Sequence, residues 1–183
     1  PLATFWQELT APEILSALRL SLVCSLAATA LAIVLGFPLA WIQARTTFPG
    51  QRLLRAITTL PIVLPPVVAG VALLVVFGRR GILGIWLDQW FGFRLPFTTA
   101  GAALAETFVA MPFFVLTMEG ALRSVDRRLE DAARTLGASR WTVFRRVTLP
   151  LILPSLQAGA ILAWARALGE FGATITFAGN VPG

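Results

Sequence analysis

The chain has neither lysine nor histidine: all fifteen basic side chains are arginine, and Cys24 is the one cysteine in 183 residues. Without lysine there is no phosphate-gripping loop of the Gly-x4-Gly-Lys-Ser/Thr kind, so ATP hydrolysis by that route is excluded. Without histidine, and with one thiol, histidine–metal centres, Ser-His-Asp triads and an internal disulfide are excluded as well. Cys24 lies in an apolar helical stretch, where a small core residue is the ordinary reading and a reactive thiol the exception. Charge is also scarce. Only 13% of residues are charged, roughly half the share of a soluble domain, whereas 57% are hydrophobic and the mean hydropathy is +0.79. This is the composition of a membrane-embedded protein, and no catalytic residue or metal site is expected in it.

What is present is a series of long apolar stretches. Residues 14–42 are apolar save for Arg19 and a few small polar side chains, and at the helical rise they can cross a hydrocarbon core about 30 Å thick. Further spans are expected over 53–77, 98–122 and 149–168, giving an all-α integral membrane protein with four spans. In the first span Ala17, Ser21, Ser25 and Thr29 recur every four residues, and Ala28, Ala32 and Gly36 repeat the spacing one face over. Such stripes let helices approach closely, and packing is their commoner use than ligand contact. Residues 78–97, with Trp86, Trp90, Phe91 and Phe93, read as an interfacial segment.

Arginine sets the direction of insertion. Three lie in the 43–55 loop (Arg45, Arg52, Arg55) and seven in 123–147, against three (Arg79, Arg80, Arg94) in 78–97. The two richer loops are therefore expected on the cytoplasmic side, and the N-terminal stretch with Glu8 and Glu13 outside. Because the arginines sit between apolar spans and form no continuous basic face, nucleic acid is not an expected partner. The chain opens at Pro1 without a methionine and closes on Gly-Asn-Val-Pro-Gly. The expectation is one transmembrane domain over 1–183, a fragment at both ends with a fifth span missing at the C-terminus. No internal repeat is present.

The polar island at 123–147 is the most informative part. Asp126 is placed to cap a short helix in which Leu129, Ala132, Ala133 and Leu136 fall at i, i+3, i+4 and i+7, an apolar stripe opposite Arg127, Arg128, Glu130, Asp131 and Arg134. Gly137 is placed to end that helix in a left-handed conformation, and Ser139 to cap a second short helix with Trp141 and Phe144 on one face. Two short helices meeting at a glycine would make a rigid knuckle projecting from the membrane. Here Asp131-Ala132-Ala133-x3-Gly137, nine residues, then Val147-x-Leu149-Pro150 resembles the cytoplasmic coupling loop of ABC-importer permeases, whose pattern is Glu-Ala-Ala-x3-Gly-x9-Ile-x-Leu-Pro. Asp131 stands for the Glu and Val147 for the Ile. The resemblance implies the transmembrane domain of a type I ABC importer in the bacterial inner membrane. It implies separate ATP-binding cassette subunits that use ATP and dock on this loop, a second copy of the chain, a periplasmic-type oxyanion-binding protein outside, and surrounding membrane lipid. No cofactor is expected on the chain itself. An ordinary solvated loop is the plain alternative, and it leaves the joint spacing without a reason.

Pro61, Pro65 and Pro66 interrupt the second expected span, each removing a backbone donor. Lipid cannot satisfy the freed carbonyls, so this backbone must face protein or a wet cavity. A helix restarting at Pro66 would point its positive end toward mid-membrane, favourable for an anion; a kink that only shapes packing is the alternative. Glu106 falls about 12 Å into the third span by the helical rise. Arg166 either serves the outer part of an anion route or, the commoner case, pairs with Glu106 or Glu170. Residues 60–70, 77–81 and 168–183 resemble the molybdate permease subunits among ABC importers, with sulfate and tungstate permeases as close relatives. That resemblance implies oxyanion import, molybdate first. Pro65, Pro66, Arg166 and Thr174 are the candidate route residues. A secondary transporter working without ATPases, or a membrane scaffold without transport, are the alternatives of other classes; neither has a use for the 131–150 spacing.

Overall fold

The computed structural model describes residues 12–179; the stretch holding Glu8 and the closing turn at 180–183 lie outside the described residues. Helices joined by turns and short irregular links make it up, with no strand among the described residues. Leucine, alanine and valine carry α1 (Pro12–Arg45) for 34 residues, and Pro38 sits inside it without ending it. Gly50, at φ 98°, turns the chain into α2 (Gln51–Val63). Leu64 and Pro65 then leave the helical region, at ψ 134° and 138°, and α3 (Pro66–Phe77) restarts with a proline at its first position, where no N–H is needed.

The stretch 53–77, expected as one span, is thus two short helices in tandem. Pro61 does not contribute to the break, contrary to the sequence expectation: it lies buried within α2. Pro65 and Pro66 make the break together, because two successive prolines withdraw two donors and hold the residue before each in extended backbone.

The interfacial segment contains α4 (Gly84–Phe91), with Trp86 and Trp90 edge to face at 6.0 Å, both exposed. Thr98 caps α5 (Thr99–Ser124) by accepting from the Gly101 amide at 3.0 Å. Next come α6 (Arg127–Thr135), α7 (Arg140–Val143), a π-helical turn over Phe144–Thr148, α8 (Leu149–Leu168) and α9 (Gly172–Ala178). Among the described residues, three helical runs are each long and apolar enough to cross a membrane: Ile14–Arg45, Thr99–Ser124 and Arg140–Leu168.

The central helix α5 is sandwiched between α1 and α8, and the small-residue stripe of α1 is a packing seam. Ala28, Ala32 and Gly36 are buried against it. A Cβ added to Gly36 would lie 2.9 Å from the Phe114 ring, and one added to Gly159 of α8 would lie 3.3 Å from the same ring. Phe114 therefore fills a gap that two glycines leave open, the close approach that small residues permit in lipid. Cys24 is buried, as an ordinary core residue would be. A second cluster joins α3, α5 and α9 through Ala69, Leu73, Ala105, Val109, Ala173 and Phe177. Outward-facing Val23, Leu26, Val34 and Leu35 remain exposed, as surfaces of a membrane-buried helix do.

Candidate functional site

The polar island folds as a limb at the end of the molecule where α1, α5 and α8 converge. Asp126 caps α6, its carboxylate accepting from the Arg128 amide at 2.9 Å. At the other end Gly137 has φ 84°, Ala138 N–H reaches Ala133 O at 3.1 Å and Gly137 N–H reaches Arg134 O at 2.9 Å. These are the two bonds of a glycine-terminated helix cap, which satisfies carbonyls the helix end would leave unpaired. Ser139 caps the next helix by accepting from Thr142 N–H at 3.2 Å. That helix is not a separate short piece, however. From α7 the chain passes through the π turn straight into α8, so the second half of the expected knuckle is the first part of a span.

The π turn explains the closing residues of the motif. Pro150 has no N–H to give and its ring crowds the carbonyl four residues back. One residue earlier, Leu149 N–H bonds Phe144 O, five back instead of four, a widening that relieves such crowding. Leu149 packs on the main core and Val147 is half-buried.

α6 exposes apolar side chains alongside most of its charges. Leu129 is 50% and Leu136 88% exposed, with Trp141 nearby in sequence at 67%. Ala132 is exposed and Ala133 half-buried. Asp131 faces solvent and pairs with Arg134 at 2.9 Å. Glu130, expected among the solvent-facing charges, is instead buried. Arg45 donates to it at 2.7 and 3.4 Å and the Thr148 hydroxyl at 2.8 Å. Arg45 also lies over the Trp41 ring, 5.6 Å from its centre. A carboxylate taken from water is tolerable only with such partners, and removing one partner of a buried pair typically costs about 3–5 kcal/mol.

A second buried acid, Glu119 near the end of α5, was not singled out by sequence reasoning. Arg123 pairs with it at 2.8 Å and Arg55 at 3.5 Å, while Arg123 also donates to Gln43 O at 3.0 Å. Gln43 in turn donates to Thr58 at 3.1 Å. This network ties α1, α2 and α5 at the limb's end of the molecule. The i,i+4 spacing of Glu119 and Arg123 was the available sequence signal.

The candidate route residues gather differently. Arg166 pairs with Glu170 at 2.8 Å, and Glu170 also accepts from the Ala173 amide at 2.8 Å, so its carboxylate caps α9. Glu106 is buried, and its Oε2 makes no hydrogen bond. Pro65 and Pro66 are exposed, and a Cβ on Gly172 would meet Pro66 at 2.7 Å, so the helix break abuts the elbow between α8 and α9. The Thr174 hydroxyl, in the first turn of α9 beyond that elbow, is buried without a partner.

Residues 32–182, which take in the limb, the proline break and the α8–α9 elbow, match the model of the binding-protein-dependent transport system inner membrane component family. The chain belongs to that family. Among its relatives, the molybdenum transport system permease protein ModB of Escherichia coli (strain K12) is 51% identical over 175 residues, covering 96% of this chain and 76% of that one. The sulfate transport system permease protein CysT of the same strain is 40% identical over 179 residues, covering 98% and 64%. The fold is that of a bacterial ABC transporter involved in import of the acidic polysaccharide alginate, with a TM-score of 0.68 at 18% identity over 97% of this chain and 68% of that chain. As a member of this family the chain is a transport component of the inner membrane, not an enzyme.

Proposed function

We propose that the chain is the permease subunit of an ATP-driven importer of a tetrahedral oxyanion, molybdate first, with sulfate or tungstate as the alternative. The observation that carries this reading is the set of exposed apolar side chains on the limb, Leu129, Leu136 and Trp141, borne on two capped helices with Glu130 buried beneath. An apolar patch at the tip of a charged projection is a surface for a partner. ATP-binding cassette subunits would seat there, against the segment from Asp131, Ala132, Ala133 and Gly137 to Val147, Leu149 and Pro150. They would supply the ATP site, for which a chain without lysine has no phosphate-binding loop of its own. The limb would then be cytoplasmic, in keeping with its arginines.

A second copy would enclose the route, since the helices of one chain leave little room for a hydrated path. Pro65, Pro66, Arg166 and Thr174 are the route residues on this reading, and the binding protein would approach from the opposite face. The identities to ModB and CysT support an oxyanion, and the larger one supports molybdate. A transporter without ATPases would have no use for the exposed limb face.

The test is recovery of an ATPase subunit with the purified permease. Ala133→Trp and Gly137→Trp each thrust bulk onto the limb and are expected to weaken that recovery by about tenfold or more, the size of an interface hot spot, with helical content unchanged. Uphill molybdate uptake by the permease reconstituted alone would refute the proposal.

A further inference from the structure

Three elements meet at the Glu130 carboxylate. Glu130 belongs to α6; Arg45 is the last residue of α1; Thr148 is the last residue of the π turn that leads into α8. The ion pair is buried on both sides, each side chain 9% exposed. Phe144 of the π turn packs edge to face on Trp41 of α1 at 5.6 Å, whereas α6 meets α1 through the Glu130–Arg45 bonds. A cleft of about 430 Å³ lies beside these bonds, lined by Trp41, Arg140, Val143 and Phe144 around Glu130 and Thr148. On the α6 side of the cleft, the polar bonds of Glu130 carry the connection to α1 and to the π turn. Arg45 is held in place: both terminal nitrogens donate to Glu130, and its guanidinium lies over Trp41.

We propose that Glu130 is a positioning residue for transport: with Arg45 and Thr148 it forms a clamp that delivers any displacement of the limb to α1 and α8 at once. The clamp rests on the reading of the limb as the ATPase docking site and extends it. Docking uses the outer face, Leu129, Leu136 and Trp141, whereas the clamp lies on the inner face and governs how motion passes inward once an ATPase is seated. Short, desolvated, charge-assisted bonds are stiff and directional. Without them α6 could swing over the cleft while α1 and the π turn stayed behind.

The experiment uses the complete transporter in liposomes: permease, ATPase subunits and binding protein, with molybdate as the probe. ATPase recovery, ATP hydrolysed and molybdate imported are measured for Glu130→Gln, Thr148→Val and the swapped pair Arg45→Glu/Glu130→Arg. Glutamine keeps the size and can still accept from Thr148 but lacks the charge. ATPase recovery and hydrolysis are expected to persist, while molybdate imported per ATP falls about tenfold in Glu130→Gln and about threefold in Thr148→Val, the usual range for residues that transmit coupling. The swapped pair restores opposite charges and is expected to regain most of the ratio. A wild-type ratio in Glu130→Gln, or a swap no better than the single change, overturns the clamp. Loss of ATPase recovery in a folded Glu130→Gln overturns it too, by moving Glu130 to the docking surface. Should Glu130→Gln fail to assemble, Thr148→Val decides, and an unchanged ratio there overturns the clamp. A wild-type permease that never holds an ATPase would strike the proposed function instead, a result distinct from all of these.

Discussion

Glu170 has a side chain only 1% exposed and two partners, Arg166 and the Ala173 amide. Replacing Arg166 by leucine would leave that carboxylate half-satisfied away from water, an expected loss of about 3–5 kcal/mol, to be read as a fall in the unfolding midpoint of the detergent-solubilised protein. If folded Arg166→Leu still imports molybdate at the wild-type rate, Arg166 is a structural partner and has no part in the route. This pair was legible in the sequence from its i,i+4 spacing, although Glu170 lies just past the end of α8, in the elbow before α9. Glu130 was not. Its neighbours Arg128 and Asp131 are exposed, so counting charges along α6 assigns it to solvent with them. What buries it are Arg45 and Thr148, 85 and 18 residues away, and nothing local signals either.

Among the elements, the α1–α5–α8 seam is where volume matters most. Gly36→Leu would drive a side chain into Phe114, already 2.9 Å from the site of a Cβ. Over-packing of this kind is expected to destabilise by about 1–3 kcal/mol. Gly137→Ala meets nothing within 4 Å, and only its φ of 84° resists, at an expected cost of about 1 kcal/mol. Thermal unfolding of the two variants side by side should rank Gly36→Leu as the more damaging, and the reverse order would contradict the seam. Helix caps and small-residue stripes were readable because they depend on residues a few positions apart. The division of 53–77 was only half readable. Hydropathy runs on across it, and three prolines look equivalent until packing shows that Pro61 fits within α2. The π turn was hidden for a related reason: Pro150 says that something must yield, not which hydrogen bond lengthens its reach.

At the scale of the whole molecule the limb and the aromatic segment should lie on opposite sides of the membrane. Cys24 is 3% exposed, whereas Leu136 is 88% and Trp90 72% exposed. A membrane-impermeant maleimide should therefore leave the wild-type chain unlabelled in cells. It should label Trp90→Cys from outside, and Leu136→Cys only after the cytoplasmic face is opened. Labelling of Leu136→Cys in sealed cells would invert the assignment made from arginine. The opening turn of α3 has one more use. Pro65 and Pro66 leave the amides of Val67 and Val68 without a carbonyl one turn earlier in the helix. Those two protons form a built-in hygrometer. If Pro65 and Pro66 border the route, as proposed above, then in deuterated buffer these two should trade hydrogen for deuterium quickly when the route floods and slowly when it closes, reporting on the cycle without any added label.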